Sequence, residues 1–450
     1  MPRWGGTARC AAGVDMEQRR SRAGALFLAL LTLSTPLTAA PLALAETTMD
    51  TSSDTPGDTT AEPFSVWLDG VRRDALERGI AASVIDEAFD GLEPLPHLLE
   101  KDRSQPEFLS SFWNYLDRRV TEQRIRRGRE QLATHRAALT RARLETGVPE
   151  RILAALWGLE SDYGAQVGTT PVIAALATLA YNQRRAAFFR GQLLDALMVA
   201  ERERLPPRHL LGSWAGAMGP FQFMPGTFLH YARDGDGDGR IDPWNSIADG
   251  TASAAAYLRA AGWRPGETWG REVRLPPGFD PTLAQPGVRR PLAAWARSGL
   301  RAADGKPLPK ATIDATLLLP SGVEGPAFLV YDNFGVLMRW NRSTSYALTV
   351  GHLADRLAGA PPLAAPRRGE APIPRARLAA LQWALTSAGY AAGADDGVLG
   401  PATRRALSAW QADNGLPPDG YPTPATLDRL TPPLPTMPTP STTRNGEGSS

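Results

Sequence analysis

Ala154-Ala155-Leu156-Trp157-Gly158-Leu159-Glu160-Ser161-Asp162-Tyr163-Gly164 sets a single carboxylate, Glu160, in an apolar run. Ile152, Leu153, Leu156, Trp157 and Leu159 recur at three- and four-residue spacings, so the stretch predicts an amphipathic helix ending near Gly164. Glu160 falls on or beside its buried stripe. A carboxyl set against indole and leucine loses water, which disfavours its charged form and suits it to protonating a leaving oxygen. The other reading is a Glu paired with an Arg at a core edge, and this stretch alone leaves both open.

Working outward, the 450 residues allow two or three domains, and 43% hydrophobic residues describe a globular chain. Residues 1–45 hold five Arg and two acids, so the formal charge of +2 becomes −1 for the remainder. Nothing in that balance calls for nucleic acid. Cys10 is the only cysteine and the five histidines are scattered, which argues against disulfides, a thiol nucleophile and a His-based zinc site.

Residues 16–45 run from Arg19, Arg20 and Arg22 through an apolar stretch to Ala43-Leu44-Ala45, the pattern of a secretory signal with an A-x-A cleavage site. We therefore expect a signal peptide over 1–45, with Met16 as an alternative start, and export without a membrane anchor. Residues 46–63 read as a disordered linker. From 64 to 147 helical patterns dominate, and the Arg-rich run 118–129 reads as a solvated face. Residues 171–180, 188–200 and 251–261 read as further helices.

Between these lies Gly212-Ser213-Trp214-Ala215-Gly216-Ala217-Met218-Gly219-Pro220-Phe221-Gln222-Phe223-Met224-Pro225-Gly226. Its glycines permit close backbone approach, and Gln222 offers both a donor and an acceptor; a tight turn in a core is the plainer reading. Asp234-Gly235-Asp236-Gly237-Asp238-Gly239 then matches the opening of a calcium loop, with oxygen ligands at positions 1, 3 and 5 and Gly at 6. Asn245 stands where a bidentate Glu closes such loops, and Asp249 is the substitute if the loop is longer. A solvated acidic turn is the alternative.

Residues 272–275, 315–319 and 327–330 read as strands of a small subdomain, and 346–357 as the helix closing the domain. A Pro/Ala linker (359–374), a small helical unit (375–430) with helices at 377–388 and 403–413, and a Pro/Thr/Ser-rich tail (431–450) follow.

Taken together, Gln105-Pro106-Glu107-Phe108, Trp157-Gly158-Leu159-Glu160-Ser161, Ala177-Thr178-Leu179-Ala180 with Arg184-Arg185, the 212–219 loop, Gln222-Phe223-Met224-Pro225, the Asp-Gly loop and Trp340-Asn341-Arg342-Ser343 resemble the B-type lytic murein transglycosylases. Residues 375–430 resemble a three-helix peptidoglycan-binding domain through Leu381-Gln382, Asp396-Gly397, Gly400, Thr403-Arg404 and Trp410-Gln411. The resemblance implies a mainly α protein: a lysozyme-like catalytic domain over 64–358 with a strand-bearing subdomain, tethered to a separate wall-binding module. It implies Glu160 as catalytic acid and base, and Ser213, Gln222, Tyr257, Trp340, Asn341 and Tyr115 in a glycan cleft, with Trp340 standing where the best-known relative carries Tyr. It also implies a structural calcium at Asp234, Asp236, Asp238, Arg240 and Asp249, no cofactor for the chemistry, peptidoglycan strands as partner, and a periplasmic location.

The nearest second acid, Asp162, would point about 200° round the same helix from Glu160, so the one-carboxylate scheme that the resemblance implies, acid and then base, fits better than a facing pair. The expected product is a 1,6-anhydromuramoyl end. A hydrolytic muramidase using an acid such as Asp332, and a non-catalytic wall-binding protein, are the competing readings.

Overall fold

The computed structural model describes residues 62–103, 111–182, 185–242, 244–367 and 372–431. The predicted signal, most of the first linker, Gln105-Pro106-Glu107-Phe108, Arg184 and the tail from 432 lie outside them. Among the described residues no helix is long and apolar enough to cross a membrane.

The first helices are α1 (Phe64–Glu77), α2 (Ala82–Phe89), α3 (His97–Arg103), α4 (Phe112–Arg119), α5 (Glu122–Thr134) and α6 (Arg136–Thr146), followed by α7 (Glu150–Ser161). In α7 every residue from Ile152 to Leu159 is buried. A helix apolar all round belongs in the middle of a core, and α5, α6, α11 (Ile247–Ala260) and α14 (Thr344–Leu357) pack around it. Two glycines permit this: a Cβ on Gly158 would lie 2.6 Å from Tyr163 Cζ, and one on Gly128 of α5 would lie 2.1 Å from the Tyr163 hydroxyl.

α7 stops three residues earlier than its pattern predicts. Asp162 and Tyr163 turn left-handed (φ 51° and 59°), and the Ser161 hydroxyl accepts the Gly164 N–H (2.9 Å) while donating to the Pro220 carbonyl (2.6 Å). The helix end is thereby tied to the Gly-rich loop.

Strands β1 (Thr170–Pro171) and β2 (Leu211–Gly212) pair antiparallel and bracket the α8 (Val172–Tyr181) and α9 (Ala186–Arg202) hairpin. After α10 (Pro225–Tyr231) and α11 the chain enters an antiparallel five-stranded sheet, ordered β4-β6-β7-β3-β5. Its strands are β3 (Gly270–Arg274), β4 (Arg290–Pro291), β5 (Arg301–Ala302), β6 (Asp314–Leu318) and β7 (Ala327–Val330), with the short α12 (Leu292–Arg297) between β4 and β5. The three predicted strands correspond to β3, β6 and β7. The edge strands β4 and β5 are two residues each, too short to leave an alternation in the sequence.

The chain returns through α13 (Asp332–Trp340), not read from the sequence as a helix, and α14. The C-terminal unit comprises α15 (Arg375–Ser387), α16 (Pro401–Asp413) and α17 (Pro424–Leu430) around Leu381, Leu385, Leu407 and Trp410, a core separate from the two before it.

Candidate active site

Glu160 closes the last turn of α7, half-buried, and its Oε1 accepts two hydrogen bonds from one stretch of chain. Trp340 Nε1–H donates at 2.7 Å from the end of α13, and the Tyr346 hydroxyl donates from the first turn of α14. The turn between them is fixed by Ser343, whose hydroxyl caps the Tyr346 N–H (3.2 Å), and by Asn341 Oδ1, which accepts the Ser343 N–H (3.0 Å). An indole can only donate, and burial pushes the Tyr346 phenol well above its ordinary range, helped by the Glu160 charge and by Tyr115. Both groups therefore remain donors across the neutral range.

Aromatic rings extend from this point. Phe223 lies 5.5 Å from Trp340; Tyr257 meets Trp340 edge-on at 5.2 Å and 85°; Tyr231 meets Tyr257 at 5.0 Å. The Tyr257 hydroxyl is anchored on the Arg339 carbonyl (2.8 Å). Tyr115 is buried beside Tyr346, with the Arg119 guanidinium 5.5 Å from its ring centre.

Ser213 and Gln222 belong to the Gly-rich loop, which is no simple turn. It folds back twice through the pairings Gly212 with Met218 and Met218 with Phe223, and Gln222 takes a left-handed φ of 51°. Gln222 Nε2 donates to the Val167 (3.0 Å) and Gly219 (2.8 Å) carbonyls, which commits both amide hydrogens. Gln222 thus offers a ligand its carbonyl oxygen, a correction to the donor-and-acceptor reading. The Ser213 hydroxyl accepts the Ala217 N–H (3.0 Å) and keeps its own hydrogen to give. Direct contact joins Glu160, Trp340 and Tyr257; Tyr115 sits behind Tyr346, and Ser213, Gln222 and Asn341 stand on the adjoining loops.

The remaining acids are engaged. Asp162 caps the helix end instead of continuing it, and its two oxygens accept from Arg124 Nε and Arg127 at 3.0 Å each. The supposed solvated Arg face is in part this clamp. Asp332 opens α13, ion-paired to Arg264 and to Arg289 (2.5 Å). It lies eight residues from Trp340 on one helix, roughly 12 Å along the axis at 1.5 Å per residue.

Tyr346 is the site residue that the sequence did not reveal. It reads as the opening of a closing helix, and its meeting with a carboxylate 186 positions away leaves no local signal.

In the Asp-Gly loop, carboxylate oxygens of Asp234, Asp236 and Asp249 lie within 4.8 Å of one another. Asp238 is not in that group; its Oδ1 accepts the Arg240 N–H (2.8 Å). Asp249 is buried and accepts the Gly235 (2.7 Å) and Asp242 (2.8 Å) N–H groups; burial pushes its carboxyl up. Backbone N–H groups of Gly239 and Gly237 hold Asp234 below the usual carboxylate range.

This fold and site define a class: residues 63–355 match the transglycosylase SLT domain model, and residues 374–430 match a peptidoglycan-binding domain model. The chain belongs to the SLT transglycosylase family. It is 34% identical over 250 residues to membrane-bound lytic murein transglycosylase B of Escherichia coli K12, a match covering 54% of this chain and 66% of that protein. Crystal structures of SltB3 from Pseudomonas aeruginosa, in complex with NAG-anhNAM-pentapeptide or NAG-NAM-pentapeptide, are 45% identical with TM-score 0.79 and cover 82% of this chain and 99% of theirs. The Escherichia coli lytic transglycosylase SLT35 in complex with calcium is 30% identical with TM-score 0.57, covering 68% of this chain and 95% of its own.

Proposed function

We propose that the protein cleaves the β-1,4 bond between N-acetylmuramic acid and N-acetylglucosamine in peptidoglycan without water, leaving a 1,6-anhydro end. The observation that carries this is a lone half-buried carboxylate, Glu160, gripped by Trp340 and Tyr346 among aromatic rings. Its relative SltB3 holds an anhydromuramoyl ligand. Glu160 protonates the glycosidic oxygen as the bond to the muramoyl C1 breaks, and the substrate's acetamido oxygen stabilises the developing cation. The Glu160 carboxylate then takes the C6 hydroxyl proton as that oxygen closes on C1. Acid and base are the same group, so no second carboxylate is needed. Trp340 and Tyr346 act as positioning residues that fix one Glu160 oxygen, Tyr115 backs Tyr346, and Tyr257, Ser213, Gln222 and Asn341 bind the sugars.

The hydrolytic alternative is disfavoured by where the other acids stand. Inverting enzymes place their carboxyls about 6.5–9.5 Å apart and retaining ones about 5–5.5 Å. Asp332 carries two arginines upon it, and Asp162 is clamped by two more.

Mass spectrometry of muropeptides released by the wild type and by Glu160→Gln tests the proposal. Products one water lighter than hydrolytic ones, lost by a factor above about 1,000 in the variant, are expected. Reducing-end products, or persistent cleavage by Glu160→Gln, would overturn it.

We read Asp234, Asp236 and Asp249 as the residues that hold a calcium ion. An all-oxygen donor set converging this closely suits a hard cation, and SLT35 is a calcium-binding relative. Bound there, the ion would neutralise mutually repelling acids and cross-link the loop to α11. We further read the protein as exported to the periplasm, cut near Ala45; N-terminal sequencing of the mature chain checks this.

A further inference from the structure

Trp340 is the last residue of α13, and the final turn of a helix frays because its last four carbonyls lack partners within the helix. Its indole nevertheless meets Glu160 Oε1 at 2.7 Å. The contacts that hold this end come from α11. The Arg339 carbonyl, one of those four, accepts the Tyr257 hydroxyl (2.8 Å). In return the Arg339 guanidinium donates to the carbonyl of Ala261, the C-cap of α11. Each helix thus satisfies an open carbonyl of the other.

Two helix C-termini that converge bring partial negative charges together, and a cation between them offsets the repulsion. Arg339 is the cation so placed. A Cβ on Gly262, just past α11, would lie 3.3 Å from its Nη1. The side chain is exposed, yet among the described residues it pairs with no acid and serves the Ala261 carbonyl instead. Burial, with Tyr231 adding to it, pushes the Tyr257 phenol above its ordinary range against the pull of the Arg339 charge, so the phenol stays a donor.

The first turn of α13 is fixed on the chain that follows α11. Asn333 is fully buried; its Oδ1 accepts the Arg264 N–H (2.8 Å) and its Nδ2 donates to the Arg264 and Glu267 carbonyls (2.9 Å each). Held at both ends, α13 cannot slide along α11. That matters at Glu160, because a misplacement of about 1 Å in a reacting group can cost on the order of 100-fold in rate.

We propose that Arg339 is a positioning residue for the cleavage reaction, acting through Trp340 by holding the indole N–H on Glu160. The inference rests on Glu160 being the reacting carboxylate, as read above.

The test follows the Trp340 indole N–H resonance by NMR in substrate-free protein, assigned by its loss in Trp340→Phe, together with kcat and KM for glycan cleavage. Arg339→Gln should move that resonance, lower kcat about tenfold and leave KM within about twofold. Arg339→Lys, which keeps the charge and a donor, should recover most of the kcat. Arg259→Gln, which removes an exposed charge from the same end of α11, should change neither readout. An Arg339→Gln protein with a lowered urea midpoint but an unmoved resonance and full kcat shows a merely structural role and overturns the proposal, as does a loss confined to KM. Should that variant not fold, Tyr257→Phe removes the other bond of the pair and must move the same resonance; an unmoved one overturns the proposal. Cleavage that survives Glu160→Gln defeats the reading of Glu160, whereas the resonance in Arg339→Gln still decides the hold on Trp340.

Discussion

At the scale of single residues, the organisation of Glu160 follows from its two donors. Hydrogen bonds to a carboxylate contribute about 1.5–3 kcal/mol each, so Tyr346→Phe and Trp340→Phe should each lower kcat by roughly 10- to 100-fold. If both only position Glu160, KM should stay within about twofold; a rise in KM with constant kcat would instead make Trp340 a sugar platform. His352 makes a second residue-level prediction. Buried in α14, its imidazole is lowered to about 4 by desolvation, with Arg356 and Arg367 adding to it. Between pH 4 and 6.5 the unfolded chain takes up a proton that the folded one refuses, so stability is full above pH 6.5 and falls as the pH drops toward 4. The loss amounts to about 3 kcal/mol, and His352→Gln should flatten that part of a denaturant-midpoint profile against pH.

Among the elements, α7 was the most legible and yet its end was not. Its apolar spacing predicted an amphipathic helix, whereas its burial on every side is set by the helices packed around it and its termination by Ser161 reaching the Pro220 carbonyl, 59 positions on. The packing of α7 on Tyr163 is equally specific. Gly158→Ala would place a Cβ 2.6 Å from the Tyr163 ring and should cost about 1–3 kcal/mol, read as a lowered urea midpoint at unchanged m-value. The Asp-Gly loop was recognisable from its spacing, and Asp249 joins Asp234 and Asp236 because the α11 N-cap, Ser246, turns its first turn back onto the loop. Calcium at a hundred times its Kd should add about 2.7 kcal/mol to stability, and a chelator should remove it. Asp249→Asn should abolish that shift; a melting temperature insensitive to calcium would end the metal reading.

For the whole molecule, the C-terminal unit has a core of its own while being docked on the sheet subdomain. Leu407→Ala, at a fully buried position of that core, should destabilise the unit by about 2–5 kcal/mol. Pull-down with peptidoglycan sacculi should then fail, whereas cleavage of short peptide-free glycan fragments should remain near wild type. Loss of both would mean that the module also supports the Glu160 site.

By itself the sequence determined the mainly helical class, the helix that carries Glu160, three of the sheet strands and the acidic loop, because each rests on local periodicity or on residue spacing. Tertiary structure alone decided that Trp340 and Tyr346 grip one Glu160 oxygen, that Gln222 turns both amide hydrogens to backbone, and that Asp162 and Asp332 are held by arginines. Those facts depend on contacts between segments tens to nearly two hundred residues apart, and no repeat of 3.6 or 2 residues along a chain records which distant side chain arrives opposite.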